Sequence, residues 1–361
     1  MGKVYDDPLF SRARKPRGRG FSLLLIIILL IISIAFITNT VINRQVQLIK
    51  QSVTIPALPS ALEGFKILHI SDLHGALFGA SQEGLSSTLK NQKYNIVCIT
   101  GDLVGADGDF SALTQMLDIL PDDIPVYFIP GDEDPAPIFS AAHSTNNVKA
   151  EYIMAAEKHG ATYLDAPVSI SAGSATLWIC PDTYYNLDLD ATRRTLLQYK
   201  DDLNSASPTA DTAAALKAVE YRLDQTDRME QARIKMLSTD TNIALTHVPF
   251  TEETIRTLRQ WGKESETDFF KSISLILAGH YNNGQLRIPL IGPLWVPESF
   301  GLEGGQWFPD PSRISGLTTL AGVSQYISPG LGSSKAYPWL PLRFFNFPSV
   351  TIITLTTKLT E

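Results

Sequence analysis

Five short apolar runs, each leading into an Asp or a His, constrain this chain more than any other feature. Phe65-Lys66-Ile67-Leu68-His69-Ile70 enters Ser71-Asp72-Leu73-His74, and Ile96-Val97-Cys98-Ile99-Thr100 enters Gly101-Asp102. Val126-Tyr127-Phe128-Ile129 enters Pro130-Gly131-Asp132-Glu133, Ile243-Ala244-Leu245 enters Thr246-His247, and Leu275-Ile276-Leu277-Ala278 enters Gly279-His280-Tyr281-Asn282. Apolar runs of this length bounded by turn residues read as fully buried strands. Their carboxyl ends would deliver Asp72, His74, Asp102, Asp132, His247 and His280 to one edge of a sheet. Such a concentration of hard ligands predicts a dinuclear metal site.

The chain has 361 residues, enough for one large domain or two modest ones. Phe21 to Ile37 is almost wholly apolar and Thr38 to Val41 extends it, so 21–41 is long enough to cross a bilayer as one helix. Lys3, Arg12, Arg14, Lys15, Arg17 and Arg19 precede it, against only Asp6 and Asp7. By the positive-inside rule residues 1–20 form a cytoplasmic basic tail, and the remainder lies outside the cell membrane. The segment after the apolar stretch offers no small-x-small cleavage site, which favours a retained signal-anchor over a cleaved signal peptide. Beyond the tail the balance is 24 basic against 35 acidic residues, subtracting 6 and 2 from totals of 30 and 37. An acidic body argues against a nucleic-acid partner, which needs a basic footprint. Cys98 and Cys180 both fall in apolar runs and read as core residues.

Residues 42–64, with Pro56 and Pro59, read as a juxtamembrane connector. From 65 onward strands (66–71, 95–100, 125–129) alternate with helical stretches (81–92, 110–119, 149–158), the pattern of an α/β layered domain over 65–361. Val168 to Cys180 reads as a hairpin turning at Ser171-Ala172-Gly173-Ser174. Residues 186–240 are polar and helical in period and are split by Pro208, so they read as an inserted helical pair. Strands at 242–247 and 274–278 flank an amphipathic helix at 251–260, and a strand closes the chain from Ser349 to Leu355. Among the remaining histidines, His69, His143 and His159 read as structural or surface groups. Residues 286–361 are rich in Pro, Gly and aromatics (Trp295, Phe300, Trp307, Phe308, Trp339); the tryptophans read as membrane-interface or core residues, core packing being the commoner fate of Trp.

In order and spacing these blocks resemble the calcineurin-like metallophosphoesterase superfamily. Gly279-His280-Tyr281-Asn282-Asn283-Gly284-Gln285 and Ser328-Pro329-Gly330-Leu331-Gly332, with Arg343-Phe344-Phe345-Asn346, are similar to its membrane-anchored bacterial branch. The resemblance implies a four-layer α/β/β/α sandwich after one transmembrane helix. It also implies two divalent metals about 3.5–4 Å apart that clamp a phosphate and provide a bridging hydroxide as nucleophile. Carried over position by position, Asp72, His74, Asp102 and Asn282 would hold one metal. Asp102, Asp132, His247 and His280 would hold the other, with Asp102 as the bridge.

The chain departs from the family pattern at four positions. Asp132 stands where the family has Asn, and Asn282 stands where it has the last His. The resulting oxygen-rich set ranks Mn²⁺ first, with Mg²⁺ and Ca²⁺ ahead of Fe and Zn²⁺. Glu133 replaces the family's catalytic His, and Gly105 replaces the Asp that orients it. Glu133 would be a substitute acid if its surroundings keep it protonated; general acid help is worth roughly 10²–10⁴-fold. The expected activity is hydrolysis of a phosphate ester or anhydride, with a phosphorylated small molecule or, given the anchor, a lipid as substrate. The alternative is a catalytically impaired relative that binds a ligand or partner.

Overall fold

The computed structural model describes residues 19–105, 108–139, 147–264, 273–296, 306–334 and 343–358. Most of the basic tail, His143, Phe300 and Trp339 lie outside them. The chain begins with helix α1 (Arg19–Ile42) and strand β1 (Gln47–Thr54). It continues with β2 (Lys66–Ile70), α2 (Glu83–Leu89), β3 (Ile96–Thr100), α3 (Ser111–Asp118), β4 (Val126–Ile129), α4 (Glu151–Lys158) and β5 (Ala161–Tyr163). The hairpin β6 (Val168–Ala172) and β7 (Ala175–Pro181) leads into α5 (Thr183–Asn186), α6 (Leu189–Ser205) and α7 (Ala210–Lys235). Then come β8 (Thr241–Leu245), α8 (Glu252–Glu264), β9 (Ile273–Ala278), β10 (Leu286–Ile288), β11 (Gly292–Val296) and β12 (Gln306–Trp307). The chain finishes with α9 (Pro311–Ile314), β13 (Gly316–Leu320), β14 (Val323–Ile327) and β15 (Ser349–Thr356).

Two six-stranded sheets, ordered β1-β15-β2-β3-β4-β5 and β13-β14-β9-β8-β7-β6, stack face to face. The alternation of side chains along each strand builds the layers. In β3, Ile96 and Cys98 point into the core between the sheets, where they meet Leu177, Ile179, Ile243, Leu245, Leu275 and Leu277. Val97 and Ile99 point the other way, onto Leu113 and Met116 of α3 and Ile153 of α4. On the second sheet Ala244 and Ile276 meet Ile255 and Leu258 of α8, while Trp178 and Cys180 meet Met229 and Ala232 of α7. Both faces of each sheet are therefore covered, the condition under which parallel strands are stable. The order is helix, sheet, sheet, helix, as expected from the sequence. Each buried Leu or Ile contributes about 1.5–3 kcal/mol. Cys98 and Cys180 are buried free thiols.

The expected insertion is a pair of helices. Asp188 caps α6 by accepting from Ala191 N (2.8 Å), and a capping box between Thr209 and Thr212 starts α7 just after Pro208. One correction concerns residues 42–64. Gln47–Thr54 is no connector: all eight residues pair in parallel with β15, and Val53 is fully buried in the inter-sheet core. The strand's remaining residues are half-buried or exposed. An edge strand of this kind lacks the apolar run that marks its central neighbours. Helix α1 leaves the body as a 22-residue apolar span, Phe21–Ile42, with a mean hydropathy of 3.1 and none of its window buried.

Candidate metal centre

The carboxyl ends of β2, β3 and β4 from one sheet and of β8 and β9 from the other converge on one edge. There the backbone takes an uncommon form. Asp72, His74, Asp102, His280 and Asn282 all have positive φ, between 46° and 76°. A left-handed conformation in a residue with a Cβ costs on the order of 1–3 kcal/mol and persists where the surroundings over-determine it. The surroundings here are backbone hydrogen bonds: Asp72 N donates to Gly101 O (2.9 Å) and His74 N to Asp102 O (2.8 Å). Glycine is required at two points. A Cβ on Gly131 would lie 2.1 Å from Asp102 Oδ1, and one on Gly330 would lie 2.9 Å from Asp72 Cβ.

The side chains form two groups of possible ligands. Asp72, His74 and Asp102, all buried, bring ligand atoms within 4.8 Å of one another, and so do Asp132, His247 and His280. Asp102 joins the groups: its Oδ2 is 3.5 Å from His74 Nε2 and 3.2 Å from His247 Nε2. Asp132 Oδ1 lies 2.7 Å from His247 Nε2 and 3.1 Å from His280 Nδ1. His247 holds its ring by Nδ1, 2.8 Å from Thr100 O, which leaves Nε2 turned into the cluster. That buried Nε2 has no hydrogen-bond partner. An imidazole nitrogen crowded against two carboxylates outside hydrogen-bonding geometry fits a divalent cation, as does the mixed imidazole and carboxylate set. Asn282 lies buried beside the first group, with Nδ2 3.3 Å from His74 Nε2 and Oδ1 3.5 Å from Arg343 Nη1. In this orientation it turns its nitrogen to the site; a half-turn of the amide would present the oxygen.

Comparison with known proteins decides the family. The model described as Calcineurin-like phosphoesterase matches residues 65–282, well over half of the chain. The chain belongs to the calcineurin-like phosphoesterase family. It is 21% identical over 314 residues, 86% of each chain, to an uncharacterized metallophosphoesterase, YkuE, of Bacillus subtilis (strain 168). Among solved structures it is similar to the phosphopantetheinyl hydrolase PptH of Mycobacterium tuberculosis, with 13% identity, a TM-score of 0.35 and coverage of 74% of this chain and 91% of that one. The sulfate thiohydrolase SoxB of Thermus thermophilus matches with 11% identity, a TM-score of 0.34 and coverage of 83% and 58%.

Charge in this phosphoesterase centre is concentrated. Burial pushes the Asp72 carboxyl above its ordinary value. Burial also opposes ionisation of Asp102, but His247 and His74 outweigh it and hold that carboxyl below the usual range. Asp132 is likewise held low, against burial, by His247 and His280. The two halves differ in access: the Asp132 side chain is 53% exposed and Asp102 only 2%. Asp132 therefore marks the mouth.

Glu133 lies beside His74. Its Oε2 lies 3.3 Å from His74 Nδ1, and its Oε1 accepts a hydrogen bond from Ser334 Oγ. Burial alone would raise this carboxyl, yet the bonds from His74 and Ser334 outweigh burial and hold it below the ordinary glutamate range. Its position makes it the group that fixes the His74 ring.

Asp134 and Ser334 escaped the sequence reading, and Arg343, quoted there only as part of the C-terminal block, proves to hold the loops together. Asp134 Oδ1 accepts from Leu103 N (2.7 Å) and Val104 N (2.8 Å), and Oδ2 accepts from Gly131 N (2.8 Å). It locks the Asp102 loop to the Asp132 loop. Buried Arg343 donates to Gly332 O (2.6 Å) and Pro329 O (2.8 Å), tying the C-terminal loops beneath Asn282. Ser334 positions Glu133. All three act through loop geometry, for which spacing in the sequence carries no signal. His69 is buried with Nε2 2.9 Å from Thr100 Oγ1, and His159 lies beside Asp118, so neither enters the centre.

Proposed function

We propose that this phosphoesterase hydrolyses a phosphate ester or anhydride at the centre joined by Asp102. The carrying observation is Asp102 Oδ2, which faces the Nε2 atoms of both His74 and His247. A carboxylate so placed belongs to both ligand groups. Asp72, His74 and Asp102, with Asn282 alongside, would hold one divalent cation; Asp102, Asp132, His247 and His280 would hold the other. Mn²⁺ ranks first on the oxygen-rich set. When bound, the pair would supply an activated water and neutralise charge developing on a phosphoryl group.

The chain's own residues do the rest. Thr100 O and the Glu133 carboxylate orient His247 and His74, the outer contacts that set ring direction and basicity. Four carboxylates, Asp72, Asp102, Asp132 and Glu133, make the site anionic, so phosphate enters only once cations offset them. Entry is past Asp132, the exposed member of the set. No proton donor for the leaving group stands among these residues, so good leaving groups are favoured.

The helix α1 is read as a retained anchor with the body outside the membrane, and this supports a phosphorylated lipid as substrate. Its end is bonded to the segment that carries Arg343, which reaches Asn282. Turnover of aryl phosphomonoesters and phosphodiesters with Mn²⁺, abolished in Asp102→Ala, is the expected outcome. Equal turnover in that variant would refute the assignment. Glu133 and Gly105 in place of the family's His and Asp, with Asn282 in place of its last His, favour a second reading, a ligand-binding module with weakened catalysis. Gly105→Asp with Glu133→His separates the two: a large gain in hydrolysis marks a de-tuned enzyme, and no gain marks a binding site.

A further inference from the structure

The small sheet β10-β11-β12 ends in an uncovered apolar tip. Leu290 and Ile291, in the turn between β10 and β11, are 109% and 66% exposed; Trp307 of the third strand and Phe308 just after it are 64% and 61% exposed. Trp307 pairs with Trp295, and Phe308 N donates to Leu294 O (2.8 Å), which carries Phe308 to the turn end of the ribbon. Residues 288–296 contain no charged side chain. Pro289 and Pro293 also remove two backbone donors that would otherwise need water. A three-stranded ribbon is too thin to bury such a patch itself, and patches of this kind mark contact surfaces.

What lies beside the patch identifies the contact. Segment 343–345 is bonded on one side to the ribbon: Arg287 N donates to Phe344 O (2.9 Å), and Phe344 N to Gln285 O (3.0 Å). Phe345 lines one small cavity together with Leu290, Ile291 and Pro311. On its other side the same segment is gripped by the end of α1. Asn39 Nδ2 and Asn43 Nδ2 both donate to Arg343 O (2.9 and 2.8 Å), and Phe345 N donates to Asn39 Oδ1 (2.8 Å). The exit of the apolar helix and the apolar tip therefore flank the same short segment.

We propose that the β10–β12 ribbon is a second membrane contact, its tip seated at the boundary of lipid headgroups and acyl chains beside the exit of α1. Trp, Phe and Leu are the side chains that favour this layer. The ribbon grows from the metal centre: Arg287 Nη1 donates to Asn283 O (2.9 Å) and Oδ1 (2.8 Å), next to Asn282. Seating the tip in lipid holds the mouth of the site against the surface that carries a lipid substrate. This inference rests on the anchor reading of α1.

The test uses the full chain in vesicles of phosphatidylcholine and phosphatidylglycerol, with an environment-sensitive fluorophore on single introduced cysteines. Cys98 and Cys180 are fully buried and do not compete for label. Ile291→Cys reports the tip, Ile31→Cys the middle of α1, and Leu237→Cys an exposed apolar site beyond α7. Brominated acyl chains are expected to quench positions 31 and 291 and spare 237, with aqueous iodide doing the reverse. Lipid quenching at 31 alone, with 291 open to iodide, overturns the ribbon contact and leaves the anchor. Shielding of 291 from both quenchers points to a protein partner and also overturns it. Quenching at neither 31 nor 291 overturns the anchor and the inference together. Quenching at 291 alone refutes the anchor, and with it the inference of a second contact beside the exit of α1.

Discussion

Glu133 has one carboxylate oxygen toward His74 Nδ1, and the other accepts from Ser334 Oγ. Its part is to orient an imidazole and raise its basicity, so Glu133→Gln keeps the shape and removes the charge. Mn²⁺ affinity is expected to fall roughly 10–100-fold, the usual cost of losing an outer contact to a ligating His. The pH profile of turnover should keep its form. Calorimetric Mn²⁺ titration and a pH–rate series check both points; disappearance of the basic limb with unchanged affinity would instead make Glu133 the acid. At this scale the sequence was readable where a residue type is itself the signal. Asp72, His74, Asp102, His247 and His280 follow apolar runs and were found. Asp134 and Ser334 were not, and Arg343 was read only as part of a resembling block, because their work is to hydrogen-bond backbone or another side chain across loops.

The helical pair α6–α7 is attached through Asp165, on the loop after β5. Arg228 donates to its two oxygens (2.7 and 2.8 Å), Tyr221 Oη donates to Oδ2, and Gln225 Nε2 donates to its carbonyl (2.8 Å). Burial would raise the Asp165 carboxyl, but the bonds from Arg228 and Tyr221 hold it below the ordinary aspartate range. Because the folded-state value is depressed, its stabilisation is complete above the unfolded pKa and is lost as pH falls through the folded one. Arg228→Met leaves that carboxylate buried without its cation and is expected to cost about 2 kcal/mol, Arg228 itself being partly exposed. Urea unfolding at neutral pH should show the loss, and the gap from the parent protein should close in acid. A gap independent of pH would mean that Arg228 acts through packing alone.

A second element-scale prediction concerns β1. A chain begun at residue 65 loses the strand that covers β15 and opens a long edge, a known route to aggregation. Residues 45–361 should remain soluble and unfold cooperatively, whereas 65–361 should aggregate; equal behaviour would make β1 dispensable. Sequence reading favoured the central strands because they are buried on both faces and hence continuously apolar. Gln47-Leu48-Ile49-Lys50-Gln51-Ser52-Val53-Thr54 has the mixed surface of a half-exposed edge, and Pro56 and Pro59 after it read as linker. Strand β13 and the ribbon were hidden for the same reason, being largely half-exposed pieces within a Pro- and Gly-rich stretch, and buried β14 was hidden because Ser324 and Gln325 interrupt its apolar run.

For the whole molecule, the anchor reading of α1 sets where the proposed chemistry would happen. Its apolar face makes no contact with the body, while Asn39 and Asn43 clamp its end to the domain. The full chain is expected to resist alkaline carbonate extraction from membranes, and deletion of residues 1–42 should release it with Mn²⁺-dependent aryl phosphate hydrolysis retained. Release of the intact full chain would contradict the anchor. Beneath this lies the joining of two ligand groups by Asp102, on which the proposed chemistry depends. Anomalous scattering at the manganese edge, from crystals of the full chain grown with Mn²⁺, tests it most directly. Two peaks about 3.5–4 Å apart, one on each side of Asp102 Oδ2, are predicted. A single peak, or peaks that Asp102 does not touch, would contradict a shared dinuclear centre.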